Sequence, residues 1–367
     1  KSWYIGYKDI PIHQTMLLRS AALLLVCASS ALAFSTTAFV GSSRKAFVPS
    51  PTALNIVGDA VGTLEKIKQI LSTEDYPPEN EAFDAMVKGT FPGAMSNKEL
   101  EMKVVEILAA RGFEGKNTLL ATSLCCDELA RTLEDDLGKC FGKNFFLGGL
   151  AGFPFAGNTG FGAMSAHIPD DGYCLIVQGP HVGITQDGVV GCVEREGIAL
   201  VDKCCGSAIA ASNYLQGITE GGATITTKIQ TFSDFQQGAV QELILPHGKR
   251  LAEAPNRMAE LPYALFESQD MLMQDIIQAG KGGLKAGTAV LSGIQINTSP
   301  DTMDYFHPLR FDYLDGNGDF AEDLLPLLAG YPPADDEVSP IEAETYAEGE
   351  DLYDETPDAI PSVESEI

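Results

Sequence analysis

The chain has 367 residues, 45% of them hydrophobic, and a formal charge of −27, so it can bury a sizeable core in one large or two modest domains. Thirteen of its acidic residues crowd into 331–367, a stretch without Lys or Arg. A surface this acidic repels phosphate backbones, which excludes nucleic acid as a partner.

In chain order, residues 1–15 read as upstream, non-native sequence, and Met16 reads as the start. Arg19, the apolar run Leu23-Leu-Leu-Val26 and Ala31-Leu-Ala33 form the charged, apolar and small-residue regions of a signal peptide. The apolar run is too short for a spanning helix, so no stable membrane span is expected. Phe34 then opens a stretch with Ser42-Ser-Arg-Lys45, and no acidic residue occurs from Met16 to Gly58. This two-part leader over 16–53 resembles the plastid leaders of diatoms and related algae and implies a chloroplast location.

Residues 54–73 carry Leu64, Ile67, Ile70 and Leu71 at helical spacing, ended by Tyr76-Pro-Pro78. Ser96 and Glu99 form a capping box for a helix running to Arg111-Gly112. Thr118–Leu124 is an apolar run of strand length. It delivers Cys125-Cys126 at its C-terminal end, where a helix is expected from about Asp127. The glycine-rich stretch 148–162 lacks the order of a dinucleotide fingerprint and reads as a tightly packed loop around a small site.

Tyr173–Gln178 reads as a strand that delivers His181, and Gln186-Asp-Gly-Val189 as a hairpin turn leading into 190–195. Ser207–Leu215 follows Cys204-Cys205 as a helix, with further helical stretches within 227–245 and 257–280. Ala289–Asn297 and Phe306–Asp312 are late strands. Asp315-Gly-Asn-Gly-Asp319 fails as a calcium loop, because Phe320 stands where Gly is needed and Pro326 where Glu is needed. Pro-rich 331–367 has no apolar period and is expected to be disordered.

The eight cysteines are clustered rather than spread as a disulfide framework. The doublets at 125/126 and 204/205, with His181 between them, read as three ligands of a zinc site. Two thiolates and one imidazole leave zinc one open position, which is the pattern of a catalytic rather than a structural site. Within each doublet one cysteine binds and its neighbour packs. His167 is the rival histidine. Without a C-x-x-C pair, a thiol-redox protein is the weaker reading.

The motifs at 123–128 (Ser-Leu-Cys-Cys-Asp-Glu), 147–155 (Leu-Gly-Gly-Leu-Ala-Gly-Phe-Pro-Phe), 159–161, 167–172, 179–183 (Gly-Pro-His-Val-Gly), 204–206 and 293–297 (Gly-Ile-Gln-Ile-Asn) resemble the limiting-CO2-inducible B family. That family includes the algal theta carbonic anhydrases and is akin to β-class carbonic anhydrases. The resemblance spans roughly 54–315. It implies an α/β fold, with a central β-sheet flanked by helices and N-terminal helices, forming a zinc carbonic-anhydrase-like domain over 54–330 and an acidic tail over 331–367. It implies Zn2+ on Cys125, His181 and Cys205, with Cys126 and Cys204 as fallback ligands, and CO2 and bicarbonate as substrates. It further implies a homodimer and a role in a plastid CO2-concentrating mechanism. Asp127 stands where the β class has the Asp of an Asp–Arg dyad. Leu129 occupies the usual Arg position, so Arg131, four residues on, is the expected partner and Arg195 the second choice. Some relatives are thought to be inactive alone, so a zinc-binding scaffold or CO2-leak barrier is the competing reading.

Overall fold

A computed structural model describes residues 76–329 apart from 79, 143 and 222–231. The upstream residues 1–15, the leader expected over 16–53, the helix expected over 54–73 and the acidic tail 331–367 lie outside the described residues.

The elements run α1 (Glu81–Thr90), β1 (Met95–Ser96), α2 (Asn97–Ala109), β2 (Thr118–Ser123), a 3-10 turn (Glu128–Ala130) and α3 (Arg131–Phe141). Then come β3 (Asn144–Phe146), α4 (Gly157–Ser165), β4 (Tyr173–Gln178), β5 (His181–Gly183), β6 (Cys192–Val193), β7 (Asp202–Lys203) and α5 (Gly206–Gly221). The last are α6 (Phe235–Leu243), α7 (Gly248–Glu253), α8 (Arg257–Gly280), β8 (Gly287–Asn297), β9 (Tyr305–Asp315), β10 (Phe320–Asp323) and α9 (Leu325–Leu328). This is the α/β architecture expected, with a central sheet and helices on both faces.

The main sheet has the order β1-β9-β8-β4-β2-β3, with β10 beside β9 and β5 continuing along β8. Strands β3, β2, β4 and β8 are parallel, while β9 returns antiparallel to β8. Strand alternation supplies apolar residues to both faces. Leu120, Leu175, Val177 and Leu291 join the core under α2 and α3. Ala121, Cys174, Ile176 and Val290 join the opposite core with Met164 of α4 and Met273 of α8.

Local chemistry explains the helix starts. Ser96 Oγ accepts from Glu99 N at 3.2 Å and caps α2, as the capping box predicts. Asp127 caps the 3-10 turn instead of a helix, so the helix expected from about Asp127 begins at Arg131 after one tight turn. Helix α4 was not expected. Its stretch holds three glycines, which disfavour helix, but buried Phe161 and Met164 anchor it from the tertiary side. The segment expected as a strand over 190–195 shrinks to a bridge between Ile184 and Val190 and the short β6.

One contact brings His181 into place. Strand β4 pairs with β8 up to Gln178 opposite Ser292, and β5 resumes with His181 opposite Gln295. Between them the chain passes so close to β8 that a Cβ on Gly179 would lie 1.7 Å from the carbonyl oxygen of Gly293. Gly179→Ala is therefore expected to lose about 3 kcal/mol or more, because backbone rather than a flexible side chain must move. Gly217→Ala in α5, where a Cβ meets nothing within 4 Å, is expected to gain about 0.5–1 kcal/mol. Chemical denaturation of the two variants checks both signs.

Candidate metal centre

Cys125 lies two residues beyond the C-terminal end of β2, His181 opens β5, and Cys205 immediately precedes α5. Cys205 is carried there by backbone bonds in the preceding loop: Cys204 N donates to Gly191 O at 3.1 Å, and Gly183 N donates to Cys204 O at 3.0 Å. The three side chains are buried, and their ligand atoms lie within 4.8 Å of one another. Cys125, Cys204 and Cys205 are free thiols.

The set fits a metal ion on three grounds. The Cys125 and Cys205 sulfurs stand 3.9 Å apart, and two thiolates on one tetrahedral zinc, at about 2.3 Å each, stand about 3.8 Å apart. His181 Nδ1 bonds Asn297 Oδ1 at 2.8 Å, while its Nε2 is buried without a hydrogen-bond partner. Native interiors rarely leave such an atom orphaned, and a ligand position accounts for it. The electrostatics agree. The hydrogen bond with Cys205 and then burial push the Cys125 thiol up to about 12. Burial would lower the His181 imidazole, but the neighbouring Cys204 and Cys125 sulfurs outweigh it and hold the ring well above its ordinary range. This is a pocket that favours positive charge.

The alternative ligands fall elsewhere. Cys204 is buried, but its sulfur lies 3.4 Å from Nδ1, the nitrogen already engaged by Asn297. Cys126 is exposed. His167 is exposed beyond the end of α4, where Nδ1 meets Ala163 O at 2.7 Å and the ring tilts against Phe145.

The carboxylate beside the thiols is Asp127, and its partner differs from the one expected first. Arg195 donates to both Asp127 oxygens, Nη1 to Oδ1 at 3.2 Å and Nη2 to Oδ2 at 3.1 Å. It also pairs with Glu128, and its Nε lies 3.6 Å from Asp202. Burial opposes ionisation of Asp127, but the Arg195 hydrogen bonds win and hold its carboxyl down to about 2. Arg131 instead pairs with Glu134 at 2.8 Å, donates to Cys125 O, and lies over the Phe146 ring. The reason is geometric. Asp127 and Arg131 would be helical neighbours only if one helix ran through both, and the extended cap at Asp127 breaks that register.

Cys125 and Cys205 share a core cluster with Ala151, Phe153 and Leu265, so the sulfurs sit against an apolar wall. Gly152, with φ 89°, lets the chain turn there, and a Cβ on it would lie 2.3 Å from Gly179 O. The glycine-rich stretch is thus a tight loop packed on the β4–β5 crossing, as read from the sequence, before it becomes α4. In the sequence Asn297 stands out only as the last residue of the motif at 293–297. It is one of four polar residues in β8, with Thr288, Ser292 and Gln295, so its polarity alone does not single it out.

A helix-covered mixed sheet carrying a buried Cys–His–Cys set beside an Asp–Arg pair defines a β-carbonic-anhydrase-like domain with a site able to bind a metal ion. Residues 94–315 match the family described as limiting CO2-inducible proteins B/C, beta carbonic anhydrases, and the chain belongs to that family. It is similar to the crystal structure of PtLCIB4, a homolog of the limiting CO2-inducible protein LCIB, at 41% identity and a TM-score of 0.62. The match covers 65% of this chain and 98% of that one. It shares its fold with the crystal structure of LCIB itself, at 21% identity and a TM-score of 0.51, covering 65% of this chain and 97% of that one. No curated protein matches the chain. Among the described residues no helix is long and apolar enough to cross a membrane.

Proposed function

We propose that the chain is a carbonic anhydrase that interconverts CO2 and bicarbonate and depends on zinc held by Cys125, His181 and Cys205. The observation that carries this reading is the partnerless, buried His181 Nε2 between two thiols, with Asp127 alongside. Three protein ligands leave a fourth position for water or substrate. Zinc bound there supplies Lewis acidity, so that water attacks CO2 near neutral pH.

The chain's own residues do the rest. Asp127, ionised across the working range, accepts a hydrogen bond at a carboxylate oxygen and orients the nucleophile. Arg195 keeps Asp127 ionised and holds it off the metal by engaging both its oxygens. Phe153, fully buried and stacked on Phe155 at 5.7 Å between ring centres, gives the site an apolar wall suited to a small nonpolar molecule. We place this activity in a plastid CO2-concentrating mechanism, as the leader resemblance suggests, and in a homodimer, as the family resemblance suggests.

Stopped-flow CO2 hydration on the purified, reduced, zinc-loaded chain tests the activity. Turnover well above buffer supports it. A folded chain that holds zinc yet leaves the rate at the buffer level contradicts it, and favours the scaffold or leak-barrier reading.

A further inference from the structure

We propose that Asn297 is the positioning residue of this centre: its side-chain amide fixes which nitrogen of His181 faces the metal and ties that ligand to the turn bearing Asp127. The inference rests on the metal reading of the site and not on turnover.

A primary amide has one acceptor end and one donor end. The nitrogen of Asn297 donates to Leu129 O at 2.9 Å and to Asp304 Oδ2 at 3.2 Å. Leu129 O only accepts, and so does Asp304 when ionised, so a rotated amide would set its oxygen against two oxygens. The orientation is therefore decided by the network, not by the amide itself. Its oxygen must face His181 Nδ1, 2.8 Å away. A carbonyl oxygen accepts and never donates, so Nδ1 carries the hydrogen. In the neutral ring that a metal would bind, the lone pair is then on Nε2, the buried atom with no other partner.

Asp304 reinforces the orientation that the Leu129 carbonyl sets. Its other oxygen accepts from Thr298 N at 2.8 Å and from Thr298 Oγ1 at 3.2 Å, so the carboxylate is fixed in the bend that follows β8. Leu129 provides the second tie. Its N–H donates to Asp127 Oδ1 at 3.2 Å, and its carbonyl takes the Asn297 amide. One side chain at the end of β8 thus holds a metal ligand and the carboxylate turn in a common frame. Register supports the same assignment, because β5 pairs His181 with Gln295 and Gly183 with Asn297 on that strand.

The test uses the 15N-histidine-labelled, zinc-loaded chain, with His181→Ala supplying the assignment. Long-range proton–nitrogen correlation is expected to show a sharp, exchange-protected Nδ1–H on His181. Asn297→Ala is expected to lose that protection and to weaken zinc binding about 10- to 100-fold in chelator competition, the range for an outer partner of a metal histidine. Asp304→Asn keeps the volume but offers either end to Asn297, so a broadened Nδ1–H and a severalfold weaker zinc affinity are expected. This second variant decides the matter if Asn297→Ala does not fold. Unchanged zinc affinity and an unchanged His181 signal in a folded variant would overturn the inference, as would hydrogen on Nε2 in the parent chain. Zinc that fails to bind the parent chain overturns the metal reading as well. Zinc that binds without CO2 hydration overturns only the enzymatic one.

Discussion

His181→Ala is expected to remove zinc binding and CO2 hydration together while leaving the metal-free fold intact. The ring is buried and its Nε2 has no protein partner, so the metal-free chain bears the desolvation cost of that atom with nothing in return. Replacing it by Ala removes that cost along with the Asn297 hydrogen bond and some packing, and these effects oppose each other. The melting temperature in chelator should therefore move little. The parent chain should gain stability as zinc is added, because zinc binds the folded state, and the variant should not. The loss of affinity and of hydration rate should exceed the about 10- to 100-fold typical of an outer partner. A thiol-redox protein built on the doublets would keep its chemistry in this variant. A core histidine without a ligand role would show a lowered melting temperature and no dependence on zinc.

Arg195→Ala is expected to cost on the order of 100-fold in kcat/KM, the scale of misplacing a reacting group by about 1 Å. Arg131→Ala should cost far less. The difference follows from what each guanidinium holds. Arg195 is the two-pronged partner of Asp127, and its side chain is only 11% exposed, so its loss leaves a half-buried carboxylate unpaired beside the metal site. Asp127 is then free to turn toward the open metal position. Arg131, the first residue of α3, braces Glu134 and the Cys125 carbonyl and does not touch Asp127, so its removal should lower stability more than turnover. Asp127→Asn, which keeps shape and loses charge, should reproduce the Arg195→Ala rate defect. Steady-state hydration kinetics on the three variants check the ranking. Equal losses in Arg131→Ala and Arg195→Ala would contradict the assignment.

What could be read from the sequence was local. Ser96 and Glu99 cap a helix because the cap involves only four consecutive residues. Cys125 and His181 could be placed because each follows an apolar run of strand length, and strand ends in α/β sheets point to sites. The ligand trio itself came from the resemblance, since spacing alone left Cys126 and Cys204 open. What could not be read depends on distance along the chain. Arg195 is 68 residues from Asp127 and is brought to it from the end of β6, a strand too short to leave a periodic signal. The Asp127–Arg131 pairing failed because a 3-10 turn intervenes, and its cause is a side-chain cap that helical periodicity does not record. Helix α4 was hidden by glycines whose unfavourable propensity is overcome by Phe161 packing beneath Gly280, where a Cβ would lie 2.3 Å from the ring. Asn297 reads from the sequence as the end of a strand, and its hydrogen-bond partners His181, Leu129, Asp304 and Cys204 lie on other segments.

X-ray absorption at the zinc edge of the reduced, zinc-loaded chain tests the central claim most directly. The account predicts one zinc per chain with two sulfur neighbours at about 2.3 Å and two lighter nitrogen or oxygen neighbours at about 2.0–2.1 Å. Those are Cys125, Cys205, His181 and one exchangeable position. Three or four sulfur neighbours would bring Cys126 or Cys204 into the shell, close the site to substrate and contradict the account.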